Sequence, residues 1–171
     1  MDCKQDKDVK DSFDHTFRKD NKYLTFKLFG EDYGMEIIKV KEIIGMMTIT
    51  AIPKAPSYVK GVINLRGKVI PVVDLRLQFG LEECDYTERT CIIVTETKLG
   101  NKTHLIGIIV DSVSEVQNIK SGDIDPCPEF GNNQVDTKYI LGMAKTGVGI
   151  KILLDIDEVL AGEELLEVVT A

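Results

Sequence analysis

G-V-I-N-L-R-G-K-V, Gly61 to Val69, has the outline of a phosphate-binding loop: two glycines bracket it and a lysine follows the second. A Walker-type loop is G-x-x-x-x-G-K-[ST] between a strand and a helix, so that backbone N–H groups curl around phosphates and a hydroxyl holds magnesium. Here five residues separate the glycines, and Val69 stands where the hydroxyl belongs. The intervening V-I-N-L-R is bulky and β-prone. The V-I-P-V-V-D that follows reads as a strand, so no helix N-terminus faces an anion. The stretch belongs to a β-structure and not to a nucleotide site.

The chain around it is a globular one. Its 171 residues predict one compact domain or two small fused lobes, large enough to bury a core without metal or disulfide staples. Residues are 43% apolar and 29% charged, and the net charge of −7 argues against nucleic-acid binding, which needs clustered Lys and Arg. Apolar runs are short and broken, and the N-terminus lacks an apolar h-region, so the reading is an intracellular protein. Cys3, Cys84, Cys91 and Cys127 form no C-x-x-C pair, and His15 and His104 lie far from any such pair, which leaves ordinary reduced thiols and no zinc site. There is no G-x-S-x-G elbow and no H-E-x-x-H. Asp123 with Asp125, and Asp155 with Asp157, lack the EF-hand spacing and read as turn and cap residues. No catalytic residue, metal site or cofactor is expected.

Residues 1–21 are polar and form an expected flexible tail. From Tyr23, Y-L-T-F-K-L-F places Leu24, Phe26 and Leu28 on one strand face. Gly30 to Gly34 reads as a hairpin turn, with the next strand near Tyr33 to Ile37. K-V-K-E-I-I, Lys39 to Ile44, is left between a helical turn and an extended segment. Pro71 sits inside the strand K-V-I-P-V-V-D-L and predicts an edge or bulge position, since it donates no hydrogen bond. Residues 81–89 read as a connector, T-C-I-I-V-T and H-L-I-G-I-I-V as paired strands, and Ser121 onward as loop. I-K-I-L-L-D-I is a last strand. D-I-D-E, Asp155 to Glu158, opens a short helix carrying Ile156, Val159 and Leu160 that stops near Gly162.

The chain repeats itself. Gly34, Ile37, Val40, Glu42 and Ile43 share their spacing with Gly107, Val110, Val113, Glu115 and Val116. Gly61 precedes Asp74 by the same thirteen positions as Gly142 precedes Asp155, with apolar pairs just before each aspartate. Two copies of one β-rich unit are expected, each too small for a thick core, so the two lobes should pack together.

Tyr58 to Arg76, Y-V-K-G-V-I-N-L-R-G-K-V-I-P-V-V-D-L-R, closely resembles the CheW family of chemotaxis coupling proteins. Y-G-M-E-I-I-K-V-K-E-I, H-L-I-G-I-I-V-D-S-V-S-E-V, P-C-P-E-F, Y-I-L-G and I-L-L-D-I fall in the family's order, so the resemblance covers about Tyr23 to Leu166. It implies two five-stranded SH3-like barrels around a shared core and a short C-terminal helix. The domain would run 22–166, with lobes of about 22–85 plus C-terminal elements and 86–155, and a tail at 167–171. It further implies a non-enzymatic cytoplasmic adaptor that links chemoreceptor signalling tips to the regulatory domain of the histidine kinase CheA at membrane-bound arrays. Two alternatives are an adaptor of a related kinase controlling pili or surface motility, and, in another class, a small-ligand-binding or enzymatic β-barrel protein.

Carried onto this chain, the resemblance marks Asn64, Leu65, Arg66 and Gly67 as lying by the receptor groove, with Glu42 as Arg66's partner and Val40 beside it. It marks Gly61, Gly107, Val116 and Gly142 as positions sensitive for receptor or kinase coupling. It places Cys91 and Ile92 at the groove and Phe130 against the kinase's barrel. Asp125 departs from the family, which often has a basic residue before the proline that follows.

Overall fold

The computed structural model describes residues 22–128, 137–147 and 149–162. Two antiparallel-dominated sheets carry the fold. The first is six-stranded: β1 (Lys22–Leu28), β2 (Glu31–Glu36), β8 (Ser112–Asn118), β9 (Ile124–Asp125), β10 (Ile140–Thr146) and β11 (Gly149–Leu154), in spatial order β8-β1-β2-β11-β10-β9. The second is five-stranded: β3 (Val40–Gly45), β4 (Val59–Leu65), β5 (Lys68–Asp74), β6 (Cys91–Leu99) and β7 (Lys102–Val110), in order β3-β6-β7-β5-β4. Two one-turn helices follow β5 and β11: α1 (Leu75–Gln78) and α2 (Ile156–Val159). Among the described residues, no helix is long and apolar enough to cross a membrane.

The two sheets are the same unit twice. In each, one parallel pair joins two antiparallel hairpins: β5 pairs β7 with Val72 opposite Gly107, and β11 pairs β2 with Leu153 opposite Gly34. Val72 and Leu153 each lie two residues before the aspartate of the repeat. The aspartates behave alike as well. Asp74 N donates to Tyr58 O and Asp155 N to Tyr139 O, both at 2.8 Å. Each then caps its helix, Asp74 by accepting from Arg76 N at 3.0 Å and Asp155 from Glu158 N at 3.3 Å. Bulges recur at Val59/Gly61 and Ile140/Gly142.

The sheets interleave the repeats, whereas the expectation above was lobes of about 22–85 plus C-terminal elements and 86–155. Strands β1 and β2 of the first repeat share a sheet with β8, β9, β10 and β11 of the second, pairing with β8 and β11 directly, while β6 and β7 of the second share the other sheet with β3, β4 and β5 of the first, pairing with β3 and β5 directly. The repeats are interlocked, and the chain crosses between sheets after β2, through a 3-10 turn at Ile37–Lys39, and after β7, at Asp111. Each sheet curls toward closure in the same way. Thr50 bridges Val62 in one lobe and β9 pairs β10 in the other.

Burial follows the alternation of the strands. A shared cluster lies between the lobes and takes Leu24, Phe26, Leu28, Met35 and Leu154 from one sheet and Val73, Ile93, Ile106, Ile108 and Val110 from the other. The helices add Leu75, Ile156, Val159 and Leu160 to it. The five-stranded lobe keeps its own core, with Ile63, Ile70, Val72, Ile92, Val94 and Ile109. A smaller one, Tyr23, Ile119, Ala144 and Leu153, fills the other lobe. Residues 92–94 and 108–110 therefore bury both faces of their strands, which is why they read as continuous apolar runs.

Two local expectations are corrected. The first hairpin turns at Phe29 and Gly30, with φ 52° and 78°, and not across Gly30–Gly34. Gly34 lies inside β2, where an added Cβ would come within 2.8 Å of Leu153 Cδ2. Pro71 sits in an interior strand between β4 and β7. Its partner Val62 turns both backbone polar groups to Thr50, at 2.9 Å each, so Pro71 faces away from β4. The β5–β7 ladder begins only at Val72, and no hydrogen bond is asked of the proline.

Candidate functional site

The N-L-R-G stretch ends β4 and forms the two-residue turn into β5, with Leu65 paired to Lys68. Arg66 and Gly67 both take positive φ, 53° and 86°. This is the pattern of a type I′ hairpin, whose twist matches the strands but which favours Asn or Gly at both positions. An arginine there is strained. Asn64 steadies the turn, its Oδ1 accepting from Gly67 N at 2.9 Å. Gly61 at the other end of β4 has φ 144°, and a Cβ on it would lie 2.0 Å from Thr50 O. That glycine exists so that two backbones can approach.

Arg66 reaches across to β3. Its Nη1 and Nη2 donate to Glu42 Oε2 and Oε1 at 2.8 and 2.5 Å, a two-pronged pair. The expected partnership is present. The β3–β6 ladder slips between Val40 and Glu42, and this bulge re-aims Glu42 toward the hairpin. Lys41 turns the other way, to Glu96 at 2.8 Å. The Arg66 hydrogen bonds outweigh the small desolvation of Glu42 and hold its carboxyl below the ordinary carboxylate range. Arg66 keeps 74% of its side chain exposed against 30% for Glu42. The pair uses two of the five guanidinium N–H donors. Val69 beside it is 71% exposed.

The other expected site residues separate into two kinds. Val40 is half-buried at the head of β3, and Val116 is exposed on β8. Cys91 is half-buried at the start of β6, opposite Gly45, so it lies four pairs along the sheet from Val40, which faces Thr95. Cys91 and Val113 pack on the shared core, and burial raises the Cys91 thiol despite a hydrogen bond from the Val113 backbone. Gly61, Ile92, Gly107 and Gly142 are buried, and direct contact with a partner is closed to them. Gly107 lets Ile92 and Val72 close over it, with Ile92 Cγ2 2.7 Å from an added Cβ, and Gly142 does the same for Ile124, at 2.5 Å. Their part is to let strands pack. Phe130 lies outside the described residues.

The sequence reading missed a depression of about 460 Å³ lined by Met46, Met47, Thr48, Ile49 and Tyr86. Tyr86, from the connector, donates to Asp74 Oδ2 at 3.1 Å, which ties the connector to the buried helix cap. The M-M-T-I run was the available signal.

The family model for the CheW-like domain matches residues 22–164, all of the described strands included. The chain belongs to the CheW-like domain family. It is 39% identical to the chemotaxis protein CheW of Klebsiella aerogenes over 84% of this chain and 83% of that one. It is 32% identical to the chemotaxis protein CheW of Rhizobium meliloti over 82% and 88%. The crystal structure of the scaffolding protein TtCheW from Thermoanaerobacter tengcongensis superposes with a TM-score of 0.73 at 34% identity, covering 84% of this chain and 90% of that one. The mainly β character stands on the described strands, and the solved CheW relative is consistent with two β lobes.

Proposed function

We propose that the protein is a non-enzymatic chemotaxis adaptor that couples the cytoplasmic signalling tips of chemoreceptors to the regulatory domain of the histidine kinase CheA. It works in the cytoplasm, at membrane-bound receptor arrays. It acts by holding partners in register, with no covalent step. The names of its relatives support the chemotaxis role, and the scaffolding relative of known structure supports action without catalysis.

The observation that carries the reading is Arg66. A strained, exposed arginine is kept in a hairpin position where Gly or Asn would be easier, and a glutamate holds its guanidinium in place there. Strain retained at a surface points to a contact made there. Glu42, Asn64, Leu65 and Gly67 build that surface, with Val40 behind it. Cys91 and Val116 offer partly apolar contact nearer the lobe junction, and Phe130 is assigned to the kinase side. Titration of the full chain against a receptor-tip fragment and the kinase regulatory domain tests this. Saturable binding to both is expected. Binding to neither by a folded protein overturns it.

A further inference from the structure

The two crossings between sheets are closed by matching ion pairs of opposite polarity. At the first crossing, Lys39 Nζ lies 2.6 Å from Asp157 Oδ2, on helix α2. At the second, Arg76, on helix α1, donates its Nε to Asp111 Oδ1 at 2.6 Å and its Nη2 to Asp111 Oδ2. The base is on the crossing in one clasp and on the helix in the other. Both acids also accept a backbone N–H from a repeat's first hairpin, Asp111 from the other repeat's and Asp157 from its own. Asp111 Oδ2 takes Phe29 N at 2.9 Å, and Asp157 Oδ1 takes Lys98 N at 3.2 Å and the Thr97 hydroxyl at 2.9 Å. The four side chains are only 14–31% exposed, unlike the open Arg66–Glu42 pair.

These clasps stand beside the candidate contact residues. Lys39 directly precedes Val40, on the strand that carries Glu42. Asp111 lies two residues before Val113, whose backbone meets Cys91. Each clasp ties a crossing in one repeat to a helix and a hairpin in the other, so a change in the angle between the lobes must strain both.

We propose that Lys39 and Arg76 are positioning residues: with Asp157 and Asp111 they lock the relative orientation of the two lobes and thereby set the partner surface without touching the partner. The binding consequence rests on the adaptor function proposed above, whereas the lock itself does not. The two are separated by measuring amide hydrogen exchange and receptor-tip affinity on the same full-length variants, Lys39→Met, Lys39→Arg and Arg76→Met.

If the lobes are locked jointly, Lys39→Met accelerates exchange at Lys98 and also at Phe29, the amide held by the other clasp. Protection at Ile63 and Ala144, inside the separate lobe cores, stays as in the wild type. Receptor-tip affinity falls about 2- to 30-fold, the range for coupling residues remote from a ligand. Lys39→Arg restores both readouts. Arg76→Met gives the mirror pattern, and an Ile63→Val control weakens the core without changing affinity. Acceleration at Lys98 alone means a local staple and overturns the lock. Affinity loss equal to that of the Ile63→Val control overturns the positioning role. A wild-type chain that binds no receptor tip removes the adaptor reading, and the exchange pattern then decides the lock alone.

Discussion

Asp111 and Asp157 hold equivalent amides in the two repeats, Phe29 N and Lys98 N, yet one is countered by a base on a helix and the other by a base on the 3-10 crossing turn. Duplication has kept the acceptor role of the acid and moved the charges around it. The acid is the common element: in each repeat it accepts a backbone N–H of the first hairpin.

This gives a pH dependence. Burial alone would raise both carboxyls. Hydrogen bonds from Arg76 and Phe29 N to Asp111, and from Lys39, Thr97 and Lys98 N to Asp157, outweigh it and leave both below the ordinary range. An acid whose folded value is depressed stabilises the fold above its unfolded value, about 3.9, and loses that contribution as pH falls through the folded value. Denaturation midpoints should be flat near neutrality and drop on the acid side of about pH 4. The Asp111→Asn/Asp157→Asn double variant should start lower at pH 7 and show a shallower acid limb. An unchanged acid limb would remove both carboxylates from the transition.

The glycines rank by what a Cβ meets. Gly61→Ala places it 2.0 Å from Thr50 O at a φ of 144°, where neither backbone can yield, and should cost about 4 kcal/mol or more. Gly107→Ala meets Ile92 Cγ2, a side-chain methyl that can shift, and should cost about 1–3 kcal/mol. Gly142→Ala falls between, since it meets both Ile124 and the Asp125 backbone. Urea unfolding orders the three. A Gly61→Ala variant as stable as Gly107→Ala would mean that the Thr50 bridge does not hold in solution.

The two helix caps should differ in the same assay. Asp155→Ala removes one cap hydrogen bond and should cost about 1 kcal/mol. Asp74 is buried and also accepts the Tyr86 hydroxyl, so Asp74→Ala removes a second hydrogen bond and should cost a further ~0.5–1.5 kcal/mol. Tyr86→Phe isolates the second part, and should free the connector from the helix cap.

Much of this was legible in the sequence. The alternation of Leu24, Phe26 and Leu28 gave the inward face of β1, and glycine–aspartate spacing gave the duplication. The interlocking of the repeats was not legible. Alternation says which face a strand buries, and nothing about which repeat supplies its neighbour. Gly34 misled for a related reason, because a glycine in a turn and a glycine under Leu153 look alike in sequence. The clasps had no local signature at all. Their partners lie 35 and 118 positions apart. Arg66 and Glu42 were found through family resemblance, and their spacing of 24 would not have paired them.

Arg66 allows stability and function to be pulled apart. Its φ of 53° is a conformation that Asn adopts more easily, and Asn in a type I′ turn is favoured. Arg66→Asn should therefore keep or raise the melting temperature although it removes the pair with Glu42, because that pair is open to solvent and screened. If Arg66 serves only the fold, binding should follow stability and hold or improve. If it serves a partner, affinity for the receptor tip or the kinase domain should fall while the fold becomes no weaker. Glu42→Gln completes the test. It keeps the hairpin sequence but loses the charge that aims the guanidinium, so a partner-facing Arg66 predicts weaker binding there too, at an unchanged melting temperature.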